Sequence, residues 1–132
     1  MFSNPIASYQ QIGIESDVRG ADPHRLITLL FDGAESALVK AQAQILEKDY
    51  EGKSHSLNKA IEIILDGLSS SLDVEQGGEL AQNLRALYGY MASRLIHANI
   101  HLDSEAVAEV QKLLGEISEA WKQIRQAPNN SK

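Results

Sequence analysis

The four histidines are the side chains of this sequence best suited to metal or proton chemistry: His24, His55, His97 and His101. A di-iron site in a helical bundle places a glutamate three residues before a histidine on an inward face, and none of the four has that glutamate. His97 and His101 lie four residues apart on one helix side, but a two-ligand metal site lacks its remaining donors. We therefore predict no metal or cofactor site. The pair is interpreted as polar residues that flank the helix near its C-terminus.

The segment around His55, KSHSLNKA, is similar to the helix of a histidine phosphotransfer domain, which presents an exposed histidine followed by a lysine and small residues. Here Asn58 precedes Lys59, so the lysine is displaced by one position, about 100° around the helix. The serines at 69–71 form no nucleophile elbow, and no phosphate-binding glycine loop precedes a helix. We therefore interpret His55 as a solvated surface residue, with a phosphotransfer bundle as the alternative. We predict that the chain is not an enzyme.

The length, charge and composition of the chain exclude several classes of protein. The chain has 132 residues, of which 43% are hydrophobic, and this fits one domain with its own core. Its 12 basic residues are outnumbered by 18 acidic ones and form no basic run, so we expect no nucleic-acid partner. No apolar stretch approaches the ~20 residues of a membrane span, and the start, MFSNPIASYQ, does not look like a signal peptide. Since cysteine is also absent, we expect a cytosolic protein without a membrane partner.

Apolar periodicity and capping residues predict four helices. Asp22 followed by Pro23 is a strong helix start, and Asp103 or Ser104 should cap the last helix. Short connections between four long helices imply antiparallel neighbours. The predicted fold class is therefore all-α, an antiparallel up-down four-helix bundle. Its helices are expected at 23–47, 53–72 and 81–102 and from 104 onward, with a polar, glycine-containing turn at 73–78.

We expect residues 1–132 to form a single helical-bundle domain. Residues 1–20 contain apolar side chains interrupted by proline and glycine, which predicts a short segment packed on the surface of the bundle. Residues 126–132 are expected to form a frayed tail, because proline and polar residues stop the helix there.

The third helix carries two apolar faces. One is an inward stripe with three- and four-residue spacing, and the opposite face also lacks charge, so it should have a partner. A strip on the second helix could form a neighbouring groove wall. The inward stripe of the third helix is Leu80, Leu84, Leu87, Met91, Leu95, Ala98 and Leu102, and its outward set is Gly89, Ala92, Ile96 and Ile100. The strip on the second helix is Ser56, Ala60, Ile63 and Gly67.

The fourth helix also has an apolar seam that should face the core: Val107, Val110, Leu114, Ile117, Trp121 and Ile124.

Five blocks of the sequence resemble a known family in order and spacing. They are ASYQQIGIES, ADPHRLITLLFDGA, NKAIEII, SLDVEQGGELAQNLRALYGYMASRLIHAN and EVQKLLGEISEAW. The chain resembles the flagellin-specific export chaperones of the FliS family from about Ile6 to Trp121. It departs from the family pattern at Ser8, where alanine is usual, and at Gly89, where an acidic residue is usual.

The resemblance implies a cytosolic α-helical bundle that binds the C-terminal segment of new flagellin, keeps it from polymerising and escorts it to the flagellar type III export apparatus. Ile6 and Tyr9 match the N-terminal pair that the family associates with cargo binding. The candidate flagellin-binding residues are Ile6, Tyr9, Ile63, Tyr88, Ile96 and Ile100. A weak homodimer that covers the outward face of the third helix is an alternative use of that face.

Overall fold

A computed structural model describes residues 22–126 as helices joined by short turns. No strand occurs within that range, so the predicted all-α helical bundle is confirmed. The predicted surface segment at 1–20 lies outside the described residues, as does the tail beyond Gln126. The elements are α1 (Pro23–Leu46), α2 (Tyr50–Glu62), a π-helical segment (Ile63–Ser69), α3 (Val74–His101) and α4 (Ser104–Gln126).

Each α-helix begins on an aspartate. A carboxylate at this position accepts hydrogen bonds from backbone N–H groups that have no partner within the helix. The predicted caps at Asp22 and Asp103 are confirmed. The bonds run to Asp22 from Arg25 N (2.7 Å), to Asp49 from Gly52 N (3.0 Å), to Asp73 from Gln76 N (3.1 Å), and to Asp103 from Glu105 N (3.1 Å) and Ala106 N (3.2 Å).

The second predicted helix, 53–72, differs from the structure in its bounds and in its type. Asp49 supplies a cap that starts α2 three residues earlier than predicted. After residue 62 the chain continues as the π-helical segment, with a wider turn than an α-helix. The segment ends where the Ser71 hydroxyl donates to the Gly67 carbonyl at 2.6 Å, which satisfies a carbonyl in its last turn.

The turn predicted at 73–78 is wrong in part. Asp73 already caps a helical turn that begins at Val74, so α3 starts earlier than predicted. Of the two adjacent glycines, only Gly78 has a positive φ, with φ 60° and ψ −138°, and it interrupts the helix there. A glycine suits this position because an L side chain rarely adopts that conformation.

Each of the four α-helices packs on two others. α1 packs on α2 and α4, and α3 packs on α4, α2 and the π-helical segment. At one end, the His24 and Trp121 rings stack with centroids 4.4 Å apart, and the Trp121 indole N–H donates to the His24 carbonyl at 3.2 Å. The start of α1 therefore lies beside the last turns of α4, as in antiparallel neighbours.

The core contains most of the apolar residues predicted to face inward, although three assignments on α3 are wrong. Leu80, predicted to be buried, is 69% exposed because it lies just after the break at Gly78. Leu102 is exposed because it is the left-handed residue that ends α3. Ala92, predicted to face outward, is buried, since α3 packs on neighbours at two sides and its buried arc is wide.

The predicted seam of α4 is confirmed over its first half. Val107, Val110 and Leu114 are fully buried. Ile117 and Trp121 are half-buried and pack on the core, whereas Ile124 is exposed. Among the described residues, no helix has both the length and the apolar character needed to cross a membrane.

Candidate functional site: the outward face of α3

An uncharged stripe runs along the outward face of α3. Its members follow one another at alternating steps of four and three residues, so they lie on one side of the helix. Every member is exposed, and Ile96 and Ile100 are 49% and 71% exposed. We call this surface the α3 stripe: Gln82, Ala86, Gly89, Ser93, Ile96 and Ile100.

The residues in the middle of the α3 stripe are all small. A Cβ added at Gly89 would meet no atom within 4 Å, and the nearest stripe members are Ala86 and Ser93, which are both small. A partner helix can therefore approach the backbone of α3 closely at this level. The two isoleucines stand beyond it, toward the C-terminal end of the helix.

The charged side chains on the α4 side of the stripe are paired. The Arg94 Nε atom lies 2.9 Å from Glu109 Oε1, and the Tyr90 hydroxyl donates to Glu109 as well. The hydrogen bond from Tyr90, and then that from Arg94, lowers the pKa of Glu109, while the same bond raises the pKa of Tyr90. The charges of Arg94 and Glu109 on this side of the stripe therefore neutralise each other.

The C-terminal end of the stripe is held by a buried lysine. Lys53 of α2 is 4% exposed, and its ammonium group donates to the Asn99 carbonyl at 3.0 Å and to Asn99 Oδ1 at 2.7 Å. The Ser54 hydroxyl donates to the same Oδ1 at 2.9 Å. A cation near the last carbonyls of a helix is stabilised by the helix dipole. These bonds fix the turn of α3 that carries Ile96 and Ile100.

Two of the predicted site residues are not on the surface. Ile63 is 1% exposed and Tyr88 is 3% exposed, and both belong to the hydrophobic core. Burial raises the pKa of Tyr88, because the charged phenolate would lose its hydration. Tyr88 is buried because it follows Leu84 by four residues and precedes Met91 by three, on the inward side of α3. The predicted groove wall on α2 is wrong for the same reason, since Ser56, Ala60, Ile63 and Gly67 are all buried.

The remaining predicted residues divide between the stripe and the undescribed N-terminus. Ile96 and Ile100 lie together on the α3 stripe, one helical turn apart. Ile6 and Tyr9 lie outside the described residues. The sequence prediction did not include Leu65, an exposed leucine of the π-helical segment; this segment packs on α3. The only signal for it was a leucine within IILDGLS that no inward stripe required.

The histidines form no metal centre in the described part of the chain, where no group of three or more potential ligands comes together. The His97 and His101 rings lie with centroids 4.5 Å apart, and His97 Nε2 is 3.2 Å from Asp103 Oδ2. This contact links the end of α3 to the cap of α4. His55 is exposed on α2, away from the α3 stripe.

Comparison with known proteins shows the family. The family model of the flagellar protein FliS matches residues 5–128. The flagellar secretion chaperone FliS of Salmonella typhimurium (strain LT2) is 51% identical over 119 residues, which cover 90% of this chain and 88% of that protein. That of Escherichia coli (strain K12) is 48% identical over 122 residues, covering 92% and 90%. That of Bacillus subtilis (strain 168) is 33% identical over 124 residues, covering 94% and 88%. The chain belongs to the FliS family of flagellar secretion chaperones, whose members act in export for flagellum assembly and are not enzymes.

Proposed function

We propose that this chain binds the C-terminal segment of flagellin in the bacterial cytosol, prevents its premature polymerisation and escorts it to the flagellar type III export apparatus. Membership of a family of flagellar secretion chaperones supports an export cargo. The observation that carries the proposal is the α3 stripe, an uncharged helix face with two exposed isoleucines. A disordered cargo segment that becomes an amphipathic helix on binding would lay its apolar side on this face.

The energetics require contact along the whole α3 stripe. Complete burial of one isoleucine side chain stabilises by about 1.5–3 kcal/mol. Ordering a disordered segment costs about 2–5 kcal/mol or more. Ile96 and Ile100 alone would therefore do little more than offset the ordering cost, so the cargo must also pack over Gly89. In this proposal Ile63 and Tyr88 support the face from the core beneath it.

We also propose that Ile6 and Tyr9 contact the cargo. A tyrosine ring can bury apolar area while its hydroxyl stays at a wet edge. The double change Ile6→Ala with Tyr9→Ala, and deletion of residues 1–10, should both weaken binding of a flagellin C-terminal peptide in calorimetry. Tighter binding in both variants would mean that the segment only covers the α3 stripe, and unchanged affinity would mean that it has no part in binding.

The stripe itself is tested by charge insertion. Ile96→Asp and Ile100→Asp should leave the helical circular dichroism spectrum unchanged and weaken calorimetric binding of the peptide. The matched control is Ala108→Asp, which adds the same charge at an exposed position of α4. Equal affinity in all four proteins would contradict the proposal.

Sedimentation of the same variants separates cargo binding from self-association. The proposal expects the wild-type chain and Ile100→Asp to sediment alike when free of cargo. A wild-type dimer that dissociates in Ile100→Asp, together with no binding of flagellin peptide, would favour the homodimer instead.

A further inference from the structure

The π-helical segment carries a large apolar side chain at its surface. Leu65 is 38% exposed, whereas Ile64 beside it and Leu68 one turn later are 0% and 2% exposed. A π-helical turn is rare and occurs mostly at functional sites. Here the backbone bond from Ser70 N to the Leu65 carbonyl spans five residues, at 3.2 Å. The core therefore uses Ile64 and Leu68 of this segment and leaves Leu65 partly open to solvent.

Leu65 lies on the side of the segment that faces α3. The Ser54 hydroxyl donates to Asn99 of α3, so the Ser54 side of α2 is the side next to α3. Ile61 follows Ser54 by two helical turns, and Leu65 follows Ile61 by four residues. In an α-helix a four-residue step passes one full turn by about 40°. The wider π-helical turn reduces this excess and keeps Leu65 nearer the line of Ser54 and Ile61.

Leu65 is also level with the small residues in the middle of the α3 stripe. The Lys53 ammonium group binds Asn99 at one end, and a short turn joins the π-helical segment to α3 at the other, so the two run antiparallel. Leu65 lies twelve residues beyond Lys53, a rise of about 18 Å. The same rise back along α3 from Asn99 ends between Ala86 and Gly89.

A groove remains open between Leu65 and the α3 stripe. A Cβ added at Gly89 would meet no atom within 4 Å, so the Leu65 side chain does not fill the space beside this glycine. Leu65 forms the wall of the groove on the side of the π-helical segment, and the α3 stripe forms the other wall. Ala92, which lies between them on α3, is buried. The groove is therefore apolar and continuous with the α3 stripe.

We propose that Leu65 is a cargo-binding residue, and that the groove between the π-helical segment and the α3 stripe holds the apolar side of a cargo helix. The inference rests on the cargo binding proposed above and adds a second wall to that site. Burial of Ile96 and Ile100 does little more than offset the cost of ordering the cargo. Leu65 supplies a third large apolar side chain, at the level where the stripe has only small residues. A helix about 10–12 Å in diameter can contact both walls at once.

Calorimetric titration of the flagellin C-terminal peptide into variants of the full chain measures the contribution of Leu65. Leu65→Ala should weaken binding about two- to fivefold through lost apolar contact. Leu65→Asp should weaken it about tenfold or more, because a carboxylate would be buried without a partner. Leu65→Met should stay within about twofold of the wild type, since it keeps most of the apolar volume. The matched controls are Val39→Ala and Val39→Asp, at an exposed apolar residue of α1, and should leave the affinity unchanged.

Methyl NMR of the wild-type complex gives evidence that does not depend on the folding of any variant. The Leu65 δ methyl groups should show intermolecular NOEs to the peptide. The peptide residues that contact Leu65 and those that contact the Ala86 methyl group should lie within one helical turn of each other, because one cargo helix fills the groove between them.

The outcomes separate this inference from the function on which it rests. If Leu65→Asp binds like Val39→Asp and Leu65 shows no NOE to the peptide, while Ile100→Asp still weakens binding, the inference is overturned and the α3 stripe keeps its role. If Ile100→Asp also binds normally, the proposed function fails as well. Equal weakening by Leu65→Met and Leu65→Ala would contradict an apolar contact. NOEs from Leu65 to a second chain, in a peptide-free sample of mixed labelling, would assign the groove to a homodimer instead.

Discussion

Helices α3 and α4 are neighbours with similar inward faces and different outward faces. Inward, Met91 and Leu95 of α3 are as completely buried as Val107 and Leu114 of α4. Outward, α4 presents charged residues to solvent, whereas the α3 stripe has none. A solvent-facing helix side normally carries charged and polar residues. The outer side of α4 is therefore suited to contact with solvent, whereas the outer side of α3 is suited to contact with a partner. The exposed charges of α4 include Glu105, Lys112, Glu116 and Glu119.

The largest effect should come from the inward side of α4. Leu114→Ala should lower the free energy of unfolding by about 2–5 kcal/mol, because it leaves a cavity in a fully buried site. Ile100→Ala on the α3 stripe should change it by no more than about 0.5 kcal/mol. Urea denaturation measures both. A loss below about 1 kcal/mol for Leu114→Ala, or a larger loss for Ile100→Ala than for Leu114→Ala, would reverse the assignment of the two faces.

A smaller effect is expected at the anchor of the last turn of α3. Lys53→Met should cost about 1–3 kcal/mol, because the half-buried Asn99 carbonyl loses the charged donor that the buried lysine supplies. Lys112→Met, at an exposed site of α4, is the control and should be near neutral. Hydrogen exchange should also speed up in the last turn of α3 in Lys53→Met. Unaltered stability and exchange would show that the lysine does not hold this turn.

A matched pair of glycines compares the α3 stripe with a position of α4 that faces α1. Gly89 of α3 has open space at its Cβ position, and a Cβ on Gly115 of α4 would come no closer than 3.8 Å, to Glu35 Oε2. Gly→Ala at either site should stabilise the free chain by about 0.5–1 kcal/mol, through the entropy lost by glycine in a helix. Only Gly89→Ala should weaken peptide binding, because the added methyl group would keep the peptide farther from the backbone of α3. Equal affinities for the two variants would show that cargo does not approach there.

The smallest effect concerns Asp103, which joins the two helices. The hydrogen bond from the Ala106 N–H lowers its pKa, and the His97 side chain and the Glu105 N–H lower it further. The ordinary pKa of aspartate is about 3.9, so the stabilisation from the ionised form is present above about pH 4 and is lost as pH falls through the lower, folded-state pKa. The melting temperature of the wild type should exceed that of Asp103→Asn at pH 5, and the difference should shrink toward pH 2. A difference in melting temperature that does not depend on pH would exclude this linkage.

Local features of the fold could be predicted from the sequence, because they depend on residues within one turn. Asp22 and Asp103 cap helices with their own neighbours, and the seam from Val107 to Leu114 needs only a regular helix. The π-helical segment could not be predicted in this way. Its inward residues suit an α-helix as well, and the choice of geometry depends on packing against α1 and α3.

The candidate site was predicted in part. Ile96 and Ile100 were identified because helical phase alone places them opposite the core. The sequence predicts Ile63 on an open wall, because it does not show how closely α1 and α3 pack on the π-helical segment. The spacing of Tyr88 to Leu84 and Met91 is that of a core residue, and the burial of Tyr88 follows this helical phase.

The most direct test of the central claim, that cargo binds the α3 stripe, is a methyl NMR titration. The isoleucine δ1 methyl groups are labelled, and a flagellin C-terminal peptide is added to saturation. The Ile96 and Ile100 methyls should shift strongly and show intermolecular NOEs to the peptide, while the fully buried Ile64 methyl should stay near its free position. A saturated complex in which Ile96 and Ile100 keep their free shifts and show no intermolecular NOE would contradict the claim.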